Sequence, residues 1–254
     1  MAAPKVEPKI YTAVVLNFET GGLNCVDCAC TQLAMQAVRL DNWTVLERYA
    51  KYIAPYRKLD IGGAPKRKVL KTRQALVQEE AGMSMKYEPV ALTYSAITMD
   101  MLYNQGVDLK EVAQDVIEFG KRNTLSKGQQ CKPILIGQNI TFDIGFLQQL
   151  IAYARLMPEF EKVFAGKVDF YGNFQPHYVD TIDLGRFAFA HLPDVTSYKL
   201  EILSERLGIE LDDAHDAGAD VTATLNVAAV CSARLRQEGG GDICIEKKEK
   251  TRAH

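Results

Sequence analysis

Three β-forming segments follow one another at the start of this chain, with only short links between them, and this order most constrains the fold. YTAVVL (11–16) is a run of β-branched and apolar residues. TQLAMQAVRL (31–40) and WTVLERYAKYIAP (43–55) each alternate, and Asp41-Asn42 between them is turn chemistry. Segments joined this way pair antiparallel, so 11–55 reads as a meander. Beyond residue 100 the period changes. In 107–123 the apolar positions 109, 112, 113, 116 and 119 lie at helical spacing, and in 142–156 the positions 142, 146, 147, 150, 151 and 154 do the same, with Pro158 as the stop. PILIGQN (133–139) is a short buried strand between them, and YVDTIDL (178–184) is a strand end running into a helix. KLEILSERLGI (199–209) is a short helix with Gly208 near its end, and 215–235 is a long one with 221, 225, 228, 232 and 235 on one face. Strands first, then helices alternating with short strands, make an α/β domain: a mixed central sheet flanked by helices.

With 254 residues, 47% of them hydrophobic, the chain can bury one sizeable core. One domain is expected over 10–237, after a flexible lead-in (1–9) and before a flexible tail (238–254) that carries Gly239-Gly240-Gly241 near its start. The segment 56–89 stands apart as a basic insertion. From Arg57 to Arg73 it holds seven Lys or Arg and one acid, Asp60. It reads either as a solvated loop with a helix near 69–81 or as a phosphate-contacting flap. The formal net charge of −2 excludes a global basic field, so any affinity for nucleic acid must come from a local patch. No apolar run approaches the roughly 18 residues of a membrane span, and MAAPKVEPKI is too polar for a signal peptide. The six cysteines then point to free thiols in a reducing, cytoplasmic compartment. Cys25, Cys28 and Cys30 lack a fourth partner at zinc spacing and are expected to be core or loop thiols, and His177, His191 and His254 to be surface residues.

Four side chains stand at element ends. Glu19 closes the first strand, Asp143 opens the helix after ILIG, Asp220 lies early in the last helix, and His215 precedes Asp220 by five residues. Asn17 shares a strand face with Glu19. Singly, each acid is most simply a helix cap or a dipole partner. Together they offer oxygen ligands from three elements and one imidazole. Hydrolysis of a phosphodiester by two divalent cations, about 4 Å apart, with a base near the water, needs such a set.

The residues Asn17-Phe18-Glu19-Thr20-Gly21-Gly22, Gly137-Gln138-Asn139-Ile140-Thr141-Phe142-Asp143 and His215 to Asp220 resemble, in order, the three motifs of the DnaQ-like 3′–5′ exonucleases of the DEDDh type. That superfamily includes the proofreading epsilon subunit and ribonuclease T. A weaker signature has a shadow in Tyr94-Ser95-Ala96-Ile97-Thr98, and the pair Asp180-Thr181 also fits. The resemblance implies a ribonuclease H-like fold. It implies that Glu19, Asp143 and Asp220, with position 17 as the bridge, ligate two Mg2+ (or Mn2+), and that His215 is the general base. It also implies that Thr20, Gly21, Gly22 and Leu23 meet the terminal nucleotide, with Asn139 and Phe142 shaping the same pocket. The implied reaction is release of nucleoside 5′-monophosphates from the 3′ end of a single strand, DNA more than RNA. The implied partners are that single-stranded DNA or RNA end and either a second copy of the chain or a polymerase or repair protein.

Asn17 departs from this pattern, since an Asp is expected there. An amide keeps the shape and one acceptor oxygen but no charge. At about 4 Å and an effective dielectric near 20, one unit-charge pair is worth on the order of 4 kcal/mol, and each 1.36 kcal/mol is about tenfold in rate. The expectation is an intact fold, retained nucleotide binding and crippled catalysis. Three origins stay open: a small inactivating replacement that traps substrate, a natural loss of catalysis in a nucleic-acid-binding module, and a working site with altered metal use. Gln138, in place of a His, is not at a ligand position.

Overall fold

The computed structural model describes residues 9–59, 84–209 and 217–236. Its strands are β1 (Thr12–Thr20), β2 (Cys30–Arg39), β3 (Val45–Tyr52), β4 (Ile134–Gly137), β5 (Gly166–Val168), β6 (Phe174–Pro176) and β7 (Tyr178–Asp180). Its helices are α1 (Pro89–Tyr94), α2 (Met99–Gln105), α3 (Leu109–Arg122), α4 (Ile140–Tyr153), α5 (Met157–Val163), α6 (Thr181–Phe189), α7 (Leu200–Leu207) and α8 (Ala217–Arg236). The expected meander is present: β1 pairs antiparallel with β2, and β2 with β3. On its other side β1 pairs in parallel with β4, and β4 in parallel with β7, which gives the order β3-β2-β1-β4-β7. The three parallel strands β1, β4 and β7 therefore end at one edge of the sheet.

Helices cover both faces of the sheet. Val14, Leu16 and Phe18 of β1 point into the main core with Val112, Phe119, Phe146 and Phe160 of α3, α4 and α5. Ala13 and Val15 point the other way, against Ala217, Val221, Leu225 and Ala228 of α8. Strands buried on both faces need not alternate in polarity. This explains β2, whose alternating sequence is buried along nearly its whole length. Its polar positions face protein, not water: Gln36 donates to the Thr222 hydroxyl of α8 at 2.7 Å. Only the edge strand β3 shows the half-buried alternation the pattern suggests.

Several expectations need correction. Pro158 does not stop the helix of 142–156; α4 ends at Tyr153, Arg155 takes a positive φ of 61°, and Pro158 opens α5 at its first turn. Proline suits that position because its missing N–H is unpaired there anyway. In α8, Ser232 and Leu235 do not continue the buried stripe, and Leu235 is 62% exposed. The helix instead buries a second side, Ala223, Val227 and Cys231, against α6 and α7. The short elements α1, α2 and the β5–β6 hairpin lie below the length at which periodicity is informative. Of the insertion 56–89, the helix expected near 69–81 lies outside the described residues, but Arg57 pairs with Ser84, so the ends of the insertion meet. Among the described residues, no helix is long and apolar enough to cross a membrane.

Candidate active site

The carboxyl ends of β1 and β4, with the segments that follow β7, wall a cavity of about 910 Å³. Asn17 and Glu19 reach it because residues two apart on β1 share the face that carries Ala13 and Val15. A break in register between Glu19 and Thr20 then turns the chain away from β2. The turn is tightly held. The Thr20 hydroxyl donates to the Gly22 carbonyl at 2.8 Å, Gly21 N–H donates to Ala29 O at 2.7 Å, and Glu88 N–H donates to Gly21 O at 2.7 Å. A Cβ on Gly21 would stand 2.5 Å from Lys86 O, and one on Gly22, whose φ is +154°, 2.6 Å from Cys28 Sγ. These glycines are thus demanded by the chain's own packing, before any nucleotide is considered. Leu23 follows at the rim, 85% exposed.

Asp143 enters from the opposite face. Asn139 takes the left-handed conformation (φ 53°, ψ 41°) at the end of β4, and α4 begins at Ile140. Asp180 braces this turn, accepting from Asn139 N–H at 3.1 Å and Ile140 N–H at 3.2 Å while it caps α6 through Ile182 N–H at 2.9 Å. Gln138 donates to Tyr198 O at 2.8 Å and accepts from the Thr181 hydroxyl, so it fastens the turn rather than facing the cavity with a free amide. One turn into α4, Asp143 is buried and accepts from Phe18 N–H at 2.8 Å, which ties motif to motif across 125 positions. Burial pushes its carboxyl up to about 8; the Phe18 N–H opposes this, and Glu19 and Asp180 add to it. Phe142 lines the cavity and packs on Phe146 with ring centroids 5.0 Å apart.

Asp220, in the first turn of α8, lines the cavity with Asn17 and Glu19. His215 lies outside the described residues, two positions before α8 begins. The Asn17 amide donates to Glu19 Oε1 at 3.4 Å, a contact two carboxylates in these places could not make. All of these groups except the His are oxygen donors, the type a hard divalent cation takes. Yet among the described residues no three His, Cys, Asp or Glu side chains gather closely enough to hold a metal ion. The donor type fits a metal, but Asn17, Glu19 and Asp220 line the cavity while Asp143 is buried beside it, and the set lacks the charge at position 17. Cys25, Cys28 and Cys30 are free thiols, with Cys30 pushed up to about 12 by burial. The Gln149 amide donates to the carbonyls of Cys25 and Cys28, so this loop is fastened to α4 by hydrogen bonds, as expected for structural thiols.

Sequence reading missed part of the lining. Tyr94 faces the site, its hydroxyl held up by burial and by the charges of Glu201, Asp220 and Glu19. It stands in the Tyr94–Thr98 shadow motif, which was the signal for it. Arg186, Tyr198, Lys199 and Glu88 also line the cavity and carried no local signal.

The family model of the RNase_T exonucleases matches residues 83–228, more than half of the chain, and leaves β1 outside the match. Among curated proteins, the chain is 27% identical over 213 residues to DNA polymerase III PolC-type of Bacillus subtilis (strain 168), covering 84% of this chain and 11% of the polymerase. The corresponding protein of Oceanobacillus iheyensis is 25% identical with the same coverage. The chain thus spans about a ninth of the length of these relatives. Among solved structures, E. coli Exonuclease I in complex with a dT13 oligonucleotide superposes with a TM-score of 0.60 at 19% identity, covering 89% of this chain and 42% of that one. A zinc-bound form of the same enzyme with single-stranded DNA gives 0.60 at 20% identity, over 88% and 41%. The chain belongs to the RNase_T exonuclease family, within the DnaQ-like 3′–5′ exonuclease superfamily, and has its ribonuclease H-like fold.

Proposed function

We propose that this chain is built as a 3′–5′ exonuclease for single-stranded ends and that Asn17 leaves it able to grip the end but poor at cutting it. The observation that carries this reading is that Asn17, Glu19 and Asp220, far apart in sequence, line one cavity, with the Asp143 carboxyl just behind it under the influence of Glu19. In this reading Glu19, Asp143 and Asp220 are the residues that would hold two Mg2+ or Mn2+. Such cations supply charge neutralisation at the phosphate and acidify water. The chain's own groups do the rest. The Thr20–Leu23 turn receives the terminal nucleotide, with Leu23 against its base, and Asn139 and Phe142 close the other side. His215 takes the proton of the attacking water, a task a neutral imidazole suits. The complexes of Exonuclease I with oligothymidylate and the PolC-type relatives favour DNA as the polymer and a replication or repair setting.

A second reading is a nucleic-acid-binding module without catalysis. The hydrogen bond from Asn17 to Glu19 favours it, because it gives one Glu19 oxygen a partner other than a cation. One experiment separates the two. A 5′-labelled single-stranded DNA and its RNA counterpart are incubated with the chain and with Asn17→Asp, each with Mg2+, Mn2+ or EDTA. A ladder that shortens from the 3′ end with Asn17→Asp and metal, at least a hundredfold faster than with the unaltered chain, is the expected result. Binding without a ladder from either protein would leave the binding module as the function.

A further inference from the structure

The end of the molecule opposite the candidate site carries two features that the proposed cleavage does not use. The first is a cavity of about 700 Å³ between the end of α3, the loop before β4 and the end of α5. Lys121, Lys127, Lys132 and Lys162 line it, with the hydroxyl residues Thr124 and Ser126, and no acidic residue lines it. In a chain of net charge −2, four ammonium groups around one cavity are a local concentration, not a general excess. Helix termini account for part of this. Lys121 and Lys162 stand in the last turns of α3 and α5, where the dipole favours a cation, and Lys132 donates to Glu161 O at 2.8 Å. Lys127 has no such role, and the pair that Lys121 makes with Glu118 is an exposed one of little worth. A concave surface of one sign focuses its field on a mobile counter-charge.

The second feature is the β5–β6 hairpin, whose tip presents Phe170 and Tyr171 at 96% and 83% exposure. The two rings pack edge to face, with centroids 5.5 Å apart. The tip is rigidly built. Asp169 accepts from the N–H groups of Tyr171 and Asn173, both at 2.9 Å, and from Gln175 Nε2 at 3.2 Å. Two aromatic rings held out to water by a preorganised turn gain nothing for the fold. The hairpin also adjoins the lysine cavity. Val163 of the cavity wall is three residues from Gly166, and Ala165 N–H donates to Pro133 O, next to Lys132, at 3.0 Å. Lys167, on β5, is exposed and falls between Val163 and Phe170 in the sequence.

We infer that this end is a second nucleic-acid site. A single strand lays its phosphates along the lysine cavity and stacks bases on Phe170 and Tyr171. A basic groove beside exposed rings is how single strands are held without regard to sequence. A duplex, whose bases are already stacked, would gain only the electrostatic part. This site is separate from the proposed cleavage site and does not depend on it: β4, about 13 Å long for four residues, separates the loop of Lys132 from the Gly137 end of the strand.

Fluorescence anisotropy in EDTA tests it with no need of catalysis. The probes are a tetrathymidylate, too short for both ends of the molecule, and an oligothymidylate of about thirty nucleotides, longer than the 4–16 nucleotides of a usual single-strand site. Lys127→Glu/Lys162→Glu and Phe170→Ala/Tyr171→Ala are each expected to weaken the long strand at least tenfold and to leave the tetranucleotide unchanged. The lysine pair should also reduce the salt slope by about 0.7 for each phosphate that is no longer neutralised. Phe170→Trp/Tyr171→Trp should restore binding, which separates stacking from damage to the hairpin. Long-strand affinity unchanged by either pair, or weakened by only one of them, overturns the combined site. Tetranucleotide affinity that falls in step with the long strand in both variants also overturns it, because the effect would then not be confined to this end of the molecule.

Discussion

Asn17 and Asp143 show how single residues at this site set stability against function. The Asp143 carboxyl is buried and pushed up to about 8, well above its ordinary value of 3.8. A carboxyl raised by folding contributes stability that is complete below about pH 4 and is lost as pH rises through about 8. Without metal, the contribution of this group is therefore smaller at neutral and alkaline pH than at pH 4. Asp143→Asn keeps the acceptor for Phe18 N–H and removes the charge. In EDTA its unfolding free energy should match that of the unaltered chain near pH 4 and exceed it at pH 9, by an amount on the order of a few kcal/mol. Equal melting curves at pH 9 would refute this. Asn17→Asp should act in the opposite sense: it replaces the contact with Glu19 by like charges. Its metal-free Tm should fall, and saturating Mn2+ at about a hundred times Kd should return about 2.7 kcal/mol. A Tm indifferent to Mn2+ would argue against a metal at this position.

At the scale of elements, the short connection between α1 and α2 holds a strained residue. Ala96 takes a φ of 53°, a left-handed conformation that costs an alanine roughly 1–2 kcal/mol and a glycine little. The chain accepts this because the flanking residues are fixed. Ile97 is 3% exposed, and the Thr98 side chain caps α2 by accepting from Met101 N–H at 3.2 Å. Ala96→Gly should therefore raise stability by about 1 kcal/mol, since relief of strain outweighs the added freedom of glycine in the unfolded chain. Chemical denaturation would read it as a higher midpoint with an unchanged slope, and a lower midpoint would contradict the account. The same element shows why only part of the site was legible. Tyr94 stands among the shadow residues of a known signature, but its place beside Glu19 and Asp220 follows from how α1 docks on the Gly21–Gly22 turn.

The whole molecule divides its apolar interior in a way that bears on the site. The main core on the α3–α5 side holds β1 and β2, whereas Phe189, Leu200, Leu203, Ala223, Val227 and Cys231 form a smaller cluster of their own beneath α6 and α7. The wall of the cavity from Thr196 to Glu201 rests on that smaller cluster. Local stability follows the apolar contacts beneath each element. Leu203→Ala should cost about 2–5 kcal/mol and speed amide exchange in α6 and α7 more than in β1 and β2, with weaker binding of the tetranucleotide. Uniform acceleration across all four elements would mean that the clusters unfold as one.

The order of the longer elements and the identity of the motif residues were determined by the sequence itself, because turn chemistry, periodicity and a fixed spacing such as Asn17-x-Glu19 act within a few residues. The fully buried β2, the second buried side of α8 and the new helix at Pro158 were decided only in three dimensions, since each depends on what packs across from it. The same holds for the burial that raises Asp143, the partner that Asn17 finds in Glu19, and the lysines that meet near the aromatic hairpin. Those contacts join segments far apart in the chain or depend on desolvation, and desolvation is a property of the assembled interior that no local stretch encodes.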